Sequence, residues 1–405
     1  MEEKEKTQNK STFNKALKKN NQRSPLLNEI LSIIYYQFLG AILCLVVLFA
    51  LTGGKNYFKL YKELNKVIDT YDTITKDYYG KIDKEKLVDN AVNAMTESIK
   101  DSYTNYSDED ETNVFMENVE GTYEGIGVSV TTKNKKIIVV KVFDDSPAHK
   151  AGIKENDIII KIDDKDLTDE NSDDLAKYIK DNKNKKMTLT IVRNNKEKEI
   201  TITRTTVAMP TVSGKIIDKE NNIGYIQISI FSSITEKQFK SELKKLEKKN
   251  INALIIDVRN NSGGYLNTVT DISSLFLEKG KIIYQLKDDK GITKIKDKTN
   301  EKRTYPIAVL TNRASASASE ILAAAIKDSY GGYIVGTNTY GKGTVQKAKK
   351  LSDGSMIKYT IQKWLTPKGK WVNDVGVDPT EYIEYDSSKK EDNQLQKAID
   401  ILKNK

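Results

Sequence analysis

The chain has 405 residues, enough for two or three domains, and its 38% hydrophobic and 30% charged residues with only 6 prolines describe a chain that folds over most of its length. One cysteine, Cys44, and one histidine, His149, exclude an intramolecular disulfide and a tetrahedral Cys/His metal site, and make His149 the only base available to a Ser-His-Asp or Cys-His site. The net charge of +9 is spread over Lys- and Asn-rich segments without a basic stripe, so nucleic acid is not an expected partner.

Residues 1–29 are polar and charged, the expected tail of a single-pass protein ahead of its span. They lead into a mostly apolar stretch from Ile30 to Leu51, long enough at about 1.5 Å per residue to cross a hydrocarbon core of about 30 Å. A transmembrane anchor over 30–52 is the reading, with a buried core helix as the alternative. The exit Ala50-Leu51-Thr52-Gly53 lacks an Ala-x-Ala cleavage pattern, and Leu43 before Cys44 is too bulky for lipoprotein processing, so the anchor is expected to stay and Cys44 to be a membrane core residue. Lys15, Lys18, Lys19 and Arg23 before the span balance Lys55, Lys59, Lys62 and Lys66 after it, so charge alone does not orient it.

Tyr57 to Lys100 carries helical spacing (Leu60, Leu64, Val67, Ile68, then Leu87, Ala91, Met95, Ile99), which predicts two or three amphipathic helices within a helical region over 55–112, a spacer or a dimerisation element. The period changes to short strands over 113–206, at Gly125 to Val130, Lys136 to Val140, Ile158 to Ile162 and Met187 to Val192. From Ile223 strands alternate with helices: Tyr225 to Phe231, a helix near Thr235 to Lys248, Ala253 to Val258, a helix near Val269 to Leu277, Ile307 to Leu310 and a helix from about Ser317 to Lys327. That alternation predicts an α/β domain in a multidomain α/β chain. A hairpin over Lys347 to Trp364, turning at Asp353-Gly354, and a final amphipathic helix over Asn393 to Leu402 complete the pattern.

Three segments of the second half carry chemistry. Asn312-Arg313-Ala314-Ser315-Ala316-Ser317-Ala318-Ser319-Glu320-Ile321 follows a strand and crowds small residues into a strand-to-helix turn, where a hydroxyl meets the unpaired N–H groups of a helix N-terminus; a tightly packed, Ser-capped helix start is the plainer reading. Gly336-Thr337-Asn338-Thr339-Tyr340-Gly341-Lys342-Gly343-Thr344 nearly spells a phosphate-binding loop, but Gly343 stands where a magnesium-ligating Ser or Thr belongs. Lys342 serves otherwise as a buried amine base or as a solvated loop lysine. A free lysine is neutral in roughly one molecule in 2500 at pH 7, so base use requires burial to depress its pKa. Asp257-Val258-Arg259-Asn260-Asn261-Ser262-Gly263-Gly264-Tyr265-Leu266 is a strand end entering a glycine turn that can donate an N–H.

Tyr123-Glu124-Gly125-Ile126-Gly127-Val128 resembles the carboxylate-binding loop of PDZ domains, and Asp145 to Ile159 resembles the segment that follows it in bacterial PDZ modules. His149 falls in that segment and is expected at its surface, with no catalytic part. With Thr366-Pro367-Lys368-Gly369 and Gly376-Val377-Asp378-Pro379, the ordered motifs resemble the carboxyl-terminal processing peptidases, the tail-specific S41 serine protease family with an inserted PDZ domain. The resemblance implies a PDZ domain over 113–206, a Ser-Lys protease core of the ClpP/crotonase-like type over 207–385 and a C-terminal helix over 386–405. It implies Ser317 as nucleophile, Lys342 as general base and Gln346 as the residue orienting that lysine. The oxyanion hole falls to the Ala318 N–H with that of Gly263 or Gly264, and peptide binding to Gly125, Ile126, Gly127 and Val128. No cofactor or metal is implied. Partners are protein or peptide substrates with free C-termini, the membrane, and a homodimer partner through the helical region; the catalytic part lies outside the cytoplasmic membrane of a bacterium, with the PDZ domain gating activity. Ser262 departs from the family, which places Pro or Gly there. A membrane-tethered PDZ adaptor with an inactive protease domain is the alternative.

Overall fold

The computed structural model describes residues 25–51, 57–182 and 185–405, and the chain divides into two compact units, Met1–Leu87 and Val88–Lys405. The expected cytoplasmic tail lies outside the described residues as far as residue 24, as do Thr52 at the end of the expected anchor and Lys55 at the start of the expected helical region.

In the first unit, helix α1 (Pro25–Leu51) contains at Glu29–Val47 the one stretch among the described residues long and apolar enough to cross a membrane, with mean hydropathy 2.3. Ile33, Tyr36, Phe38, Leu43 and Cys44 on it are exposed. Helix α2 (Tyr57–Asp77) follows, and α3 (Lys84–Glu97) runs across the division, so two helices fill the expected amphipathic region before residue 100.

The second unit continues with β1 (Asn105–Ser107) and α4 (Glu109–Glu120). This corrects the expected onset of strands at 113. The Asp108 carboxylate accepts from the Glu111 N–H, three acidic residues fill the first turn, and Gly121 closes the helix in the left-handed conformation. Strand period starts at β2 (Thr122–Gly125). A small β-domain follows: β3 (Val128–Lys133), β4 (Lys136–Val142), α5 (Pro147–Ala151), β5 (Ile158–Ile162), β6 (Lys165–Asp166), α6 (Ser172–Asp181), β7 (Lys186–Arg193), β8 (Lys196–Thr203) and β9 (Thr205–Ala208). Its sheet runs β3-β4-β5-β7-β8 around Ile137, Val139, Ile159, Leu189 and Ile191, and β3 is left at an edge. Strands β2 and β9 pair as an antiparallel ribbon where the chain enters and leaves. The strand expected over Gly125 to Val130 is interrupted at Ile126-Gly127, where Gly127 has φ +83°.

The remaining chain builds two sheets. Strands β10 (Val212–Asp218), β11 (Ile223–Ile228), β12 (Ala253–Asp257), β15 (Ile307–Thr311), β16 (Tyr333–Gly336) and β19 (Glu381–Tyr382) form one in that order, parallel from β11 onward. Its crossovers are α7 (Thr235–Glu247), α8 (Leu266–Ser274) and α9 (Ala318–Ala325), the last widening into a π turn, Ile326–Tyr330. Every residue of β12 and β15 is buried, as strands covered on both faces require. The second sheet joins β1, β13 (Ile282–Asp288), β14 (Gly291–Lys296), β17 (Thr344–Lys350) and β18 (Met356–Leu365). Helix α10 (Asn393–Lys403) packs Ala398, Ile399 and Leu402 into the core cluster that holds Ile255, Ala308 and Leu310 of the first sheet.

At the end of β12 the Arg259 guanidinium meets Asp257 and Asp392 at 2.7 Å each, and the Tyr225 hydroxyl donates to Asp257 at 2.8 Å. Arg259 thereby ties α10 to the strand that leads into the Asn260–Gly264 turn. Truncating one member of a buried ion pair strands its partner's charge, so Arg259→Ala should cost about 3–5 kcal/mol. Thermal unfolding checks this; a loss below about 1 kcal/mol contradicts it.

Candidate active site

Strand β15 ends in a turn of three serines with different fates. The Ser315 hydroxyl donates to the Val258 carbonyl at 2.8 Å and the Ser319 hydroxyl to the Asn261 carbonyl at 2.8 Å, and both serines are fully buried. Ser317 is half-buried and stands at the N-cap of the helix that follows, where it forms a capping box with Glu320. Its backbone takes φ +54°, ψ −112°, a left-handed conformation that costs a non-glycine residue about 1–3 kcal/mol and turns up most often where function demands it. Ala318 begins α9 there, so its N–H lies outside the intrahelical ladder.

The Asn260–Gly264 turn lies directly against this serine. A Cβ on Gly263 would stand 2.8 Å from the Ser317 Cβ and from the Ala316 carbonyl oxygen, which makes glycine obligatory there. The Asn260 and Asn312 side chains lock the two turns: Asn312 Nδ2 donates to Asn260 Oδ1 at 2.8 Å, and the Asn260 N–H donates to Asn312 Oδ1 at 3.0 Å. Of the two expected glycine donors, Gly263 is already engaged, donating its N–H to Asn261 Oδ1 at 2.8 Å. Gly264 bridges Phe231 in parallel register through its neighbours' bonds, Phe231 N–H to the Gly263 carbonyl and Tyr265 N–H to the Phe231 carbonyl. That geometry turns the Gly264 N–H away from Phe231 and leaves it open to a ligand. Of the two glycines expected as oxyanion donors, Gly264 is the one whose N–H makes no hydrogen bond among the described residues. Ser262, the departure noted in sequence, is exposed and donates nothing to the turn.

Lys342 sits between Gly341 and Gly343 in the loop from β16 to β17. A Cβ on Gly341 would stand 2.9 Å from the Val375 N, and one on Gly343 2.7 Å from the Asn373 N, so the loop packs flat on residues 373–375. The Trp364 indole donates to the Lys342 carbonyl at 2.6 Å and the Trp371 indole to the Gly343 carbonyl at 2.9 Å. The Lys342 amine lies 4.8 Å from the centre of the Tyr103 ring. Burial pulls its pKa below the ordinary lysine value and the nearby Lys358 charge adds to this, while Glu320 and Asp101 oppose it. Gln346, on β17, is not on Lys342: its amide donates to Thr344 Oγ1 at 2.8 Å and to Thr360 Oγ1 at 3.2 Å. Nor does the structure hydrogen-bond Ser317 to Lys342 side chain to side chain.

What joins the two turns is Glu320, which is fully buried. Its Oε2 accepts the Ser317 N–H at 2.7 Å and the Lys342 N–H at 2.9 Å; its Oε1 accepts the Thr339 hydroxyl at 2.6 Å and the Gly341 N–H at 2.7 Å. Burial pushes its carboxyl above the ordinary value, and the four donors oppose that shift. Sequence reasoning passed over Glu320. The Ser-x-x-Glu spacing of a capping box at Ser317 was the signal that marks it.

In the small β-domain, Gly125, Ile126 and Gly127 are buried and Val128 opens the free edge strand β3, with α6 alongside through the Ser172 N–H to Thr132 Oγ1 bond of 2.8 Å. The Gly127 N–H meets the Tyr123 hydroxyl, and a Cβ on Gly127 would stand 2.2 Å from that of Ser146. His149 is exposed on α5. Ser241 with Lys244 and Ser387 with Lys390, both spaced Ser-x-x-Lys, are exposed.

These features agree with comparison to known proteins. A model of peptidase family S41 matches residues 222–383, a PDZ domain model matches 125–203, and a model described as the activating protease CtpB N-terminal domain matches 51–112. The chain is 38% identical over 332 residues to the carboxy-terminal processing protease CtpA of Bacillus subtilis (strain 168), covering 82% of this chain and 69% of that one. It is also 38% identical over 324 residues to CtpB of the same organism, covering 79% and 67%. A solved structure from Bacteroides fragilis NCTC 9343, assigned to the S41 proteases, shares the fold with a TM-score of 0.50 at 15% identity, over 81% of this chain and 91% of that one. The chain belongs to the C-terminal processing serine proteases of peptidase family S41, and it carries a PDZ domain. Nothing in these comparisons favours an inactive adaptor.

The serine turn separates two buried, hydrogen-bonded hydroxyls from the half-buried Ser317. Ser315→Ala and Ser319→Ala should each lower stability by about 1–3 kcal/mol, by leaving a buried carbonyl short of a donor, while proteolysis of a denatured test protein persists. Denaturant unfolding beside a proteolysis assay checks both; wild-type stability with lost activity is the contrary result.

Proposed function

We propose that the protein is a membrane-anchored endopeptidase that cleaves proteins with accessible C-terminal tails, using Ser317 as nucleophile and Lys342 as general base. The observation that carries this reading is the Glu320 carboxylate shared by the Ser317 and Lys342 N–H groups, which brings the backbones of a half-buried serine and a half-buried lysine to one anchor. In the reaction the neutral Lys342 amine takes the Ser317 proton as the hydroxyl attacks the scissile carbonyl, and the Gly264 and Ala318 N–H groups hold the oxyanion. Lys342 then returns the proton to the leaving amine, and water, deprotonated by the same lysine, releases the acyl group. Each step needs the Lys342 amine to move from the Tyr103 ring to Ser317, and Gln346 to leave Thr360 if it is to orient the amine.

The domain layout supporting this reading places the cytoplasmic tail at 1–29, the anchor at 30–52, a helical region at 55–112, the PDZ domain at 113–206, the protease core at 207–385 and a closing helix at 386–405. A parallel sheet crossed by α7, α8 and α9 supports a ClpP/crotonase-like core, and α1 supports a single membrane span. The relatives are bacterial proteins, and with α1 as the span the reading puts the protein in a bacterial cell membrane with its catalytic part outside. The PDZ domain would take a substrate's last residues along β3, its carboxylate on the N–H groups of Ile126, Gly127 and Val128 in place of the Tyr123 hydroxyl, and thereby gate the site.

Ser317→Ala and Lys342→Ala should each abolish cleavage with the fold intact; full activity in either overturns the assignment. Because the amine works only when neutral, activity should rise with pH up to a plateau. Lys358→Met removes a positive charge that depresses the Lys342 pKa, so the acid limb of kcat/KM should move to higher pH. An unmoved limb contradicts a lysine base beside Lys358.

Capture of a free C-terminus is tested with the full-length Ser317→Ala protein and paired peptides. Amidating the last residue removes a charge-assisted contact worth about 1.5–3 kcal/mol, so affinity should fall about tenfold or more. Equal binding of acid and amide removes the carboxylate-capture reading.

A further inference from the structure

The segment Asp101–Thr104, from the region before β1, reaches the base. Asp101 Oδ1 accepts the Tyr103 N–H at 3.1 Å and its Oδ2 accepts the Thr104 hydroxyl at 2.6 Å, which fixes a tight turn with Tyr103 at its outer corner. Thr104 Oγ1 accepts the Thr360 N–H at 3.2 Å, docking the turn on β18. From there the Tyr103 ring presents its face to the Lys342 amine at 4.8 Å. Its hydroxyl faces Tyr340, two residues before Lys342. Thr360 is also the residue that holds the Gln346 amide. One short segment thus contacts both the base and the group that holds the base's expected partner.

We propose that Tyr103 is a positioning residue of the protease, one that parks the Lys342 ammonium over its ring and away from Ser317, so that the resting enzyme must release this contact before it can act. The inference rests on the Ser317–Lys342 reading. A cation is drawn to the face of an aromatic ring and a neutral amine is not, so the contact selects the protonated, unreactive lysine. The groups facing that ammonium act in both directions. Asp101 on the same turn and Glu320 on α9 favour its charge, Lys358 on β18 disfavours it, and the Tyr103 phenol stays neutral at working pH, pushed up to about 12 by burial and by the neighbouring Tyr340. Asp101 itself stays below the ordinary carboxylate value: burial raises it, but Thr104, Thr360, the Tyr103 N–H and the Lys342 charge outweigh that.

The test follows fluorophosphonate labelling of Ser317 against pH in the full-length protein held in detergent. Tyr103→Leu keeps an apolar wall but removes the ring face, so labelling at the foot of the acid limb should rise about tenfold and the limb should move to lower pH, with little change on the plateau. Tyr103→Phe keeps the ring and should follow the wild type. A limb that stays in place or moves up in Tyr103→Leu, a uniform loss at every pH in both variants, or a Phe variant behaving like Leu each overturns the proposal. Lys342→Ala in the same series separates the two readings. If Lys342→Ala labels with the wild-type pH profile, the Ser-Lys assignment has failed; if it is inert while Tyr103→Leu matches the wild type, only the parking role has failed.

Discussion

A single buried carboxylate organises this protease. Glu320 spends both oxygens on four donors, three of them peptide N–H groups, and those donors come from the serine turn and from the Thr339–Lys342 loop. A carboxylate removed from water is costly unless its lone pairs are filled, and here the filling is done by the segments whose spacing matters for chemistry. The strained Ser317 backbone is tolerable because the same bond holds its N–H. Two residues 25 positions apart in sequence are in this way referred to one pair of oxygen atoms.

Around that point the fold supplies rigidity in layers. The all-buried strands β12 and β15 set the two turns beside each other, and the hydroxyls of Ser315 and Ser319 with the Asn260–Asn312 pair stitch them together. The indoles of Trp364, on the second sheet, and Trp371, just beyond it, hold the carbonyls of Lys342 and Gly343. Against this fixed backbone the Lys342 side chain is the adjustable part. Its protonation reflects burial and Lys358 on one side and Glu320, Asp101 and the Tyr103 face on the other, so its reactivity is set by small changes in its surroundings.

Much of this was legible in the sequence because it is local. The alternation of apolar strands with helices from Ile223, the small residues around Ser317 and the glycines flanking Lys342 each report a short-range requirement, and each element lies within a few residues of its expected place. Helix α4 was missed because Val114, Phe115 and Val119 carry too little apolar period, and its evidence is the Asp108 cap and the Gly121 stop. The Glu320 network was not legible beyond its capping half, since Ser317 and Glu320 are neighbours but Gly341 and Lys342 reach the carboxylate only through the β15-α9-β16 crossover. Gln346 was expected on Lys342, yet its cross-strand neighbour Thr360 takes its amide; that competition depends on strand register. Tyr103 gave no signal at all, as an aromatic in a turn says nothing about a lysine far down the chain.

The most direct test of this account is the rate at which a fluorophosphonate labels Ser317 in a folded Glu320→Ala variant at the wild-type pH plateau. Loss of the shared carboxylate frees the N–H groups of Ser317 and Lys342 from their common anchor, and labelling should fall at least about a hundredfold, as misplacement by about 1 Å produces. Labelling at the wild-type rate would show that the two turns keep their catalytic spacing without Glu320, and would contradict the account.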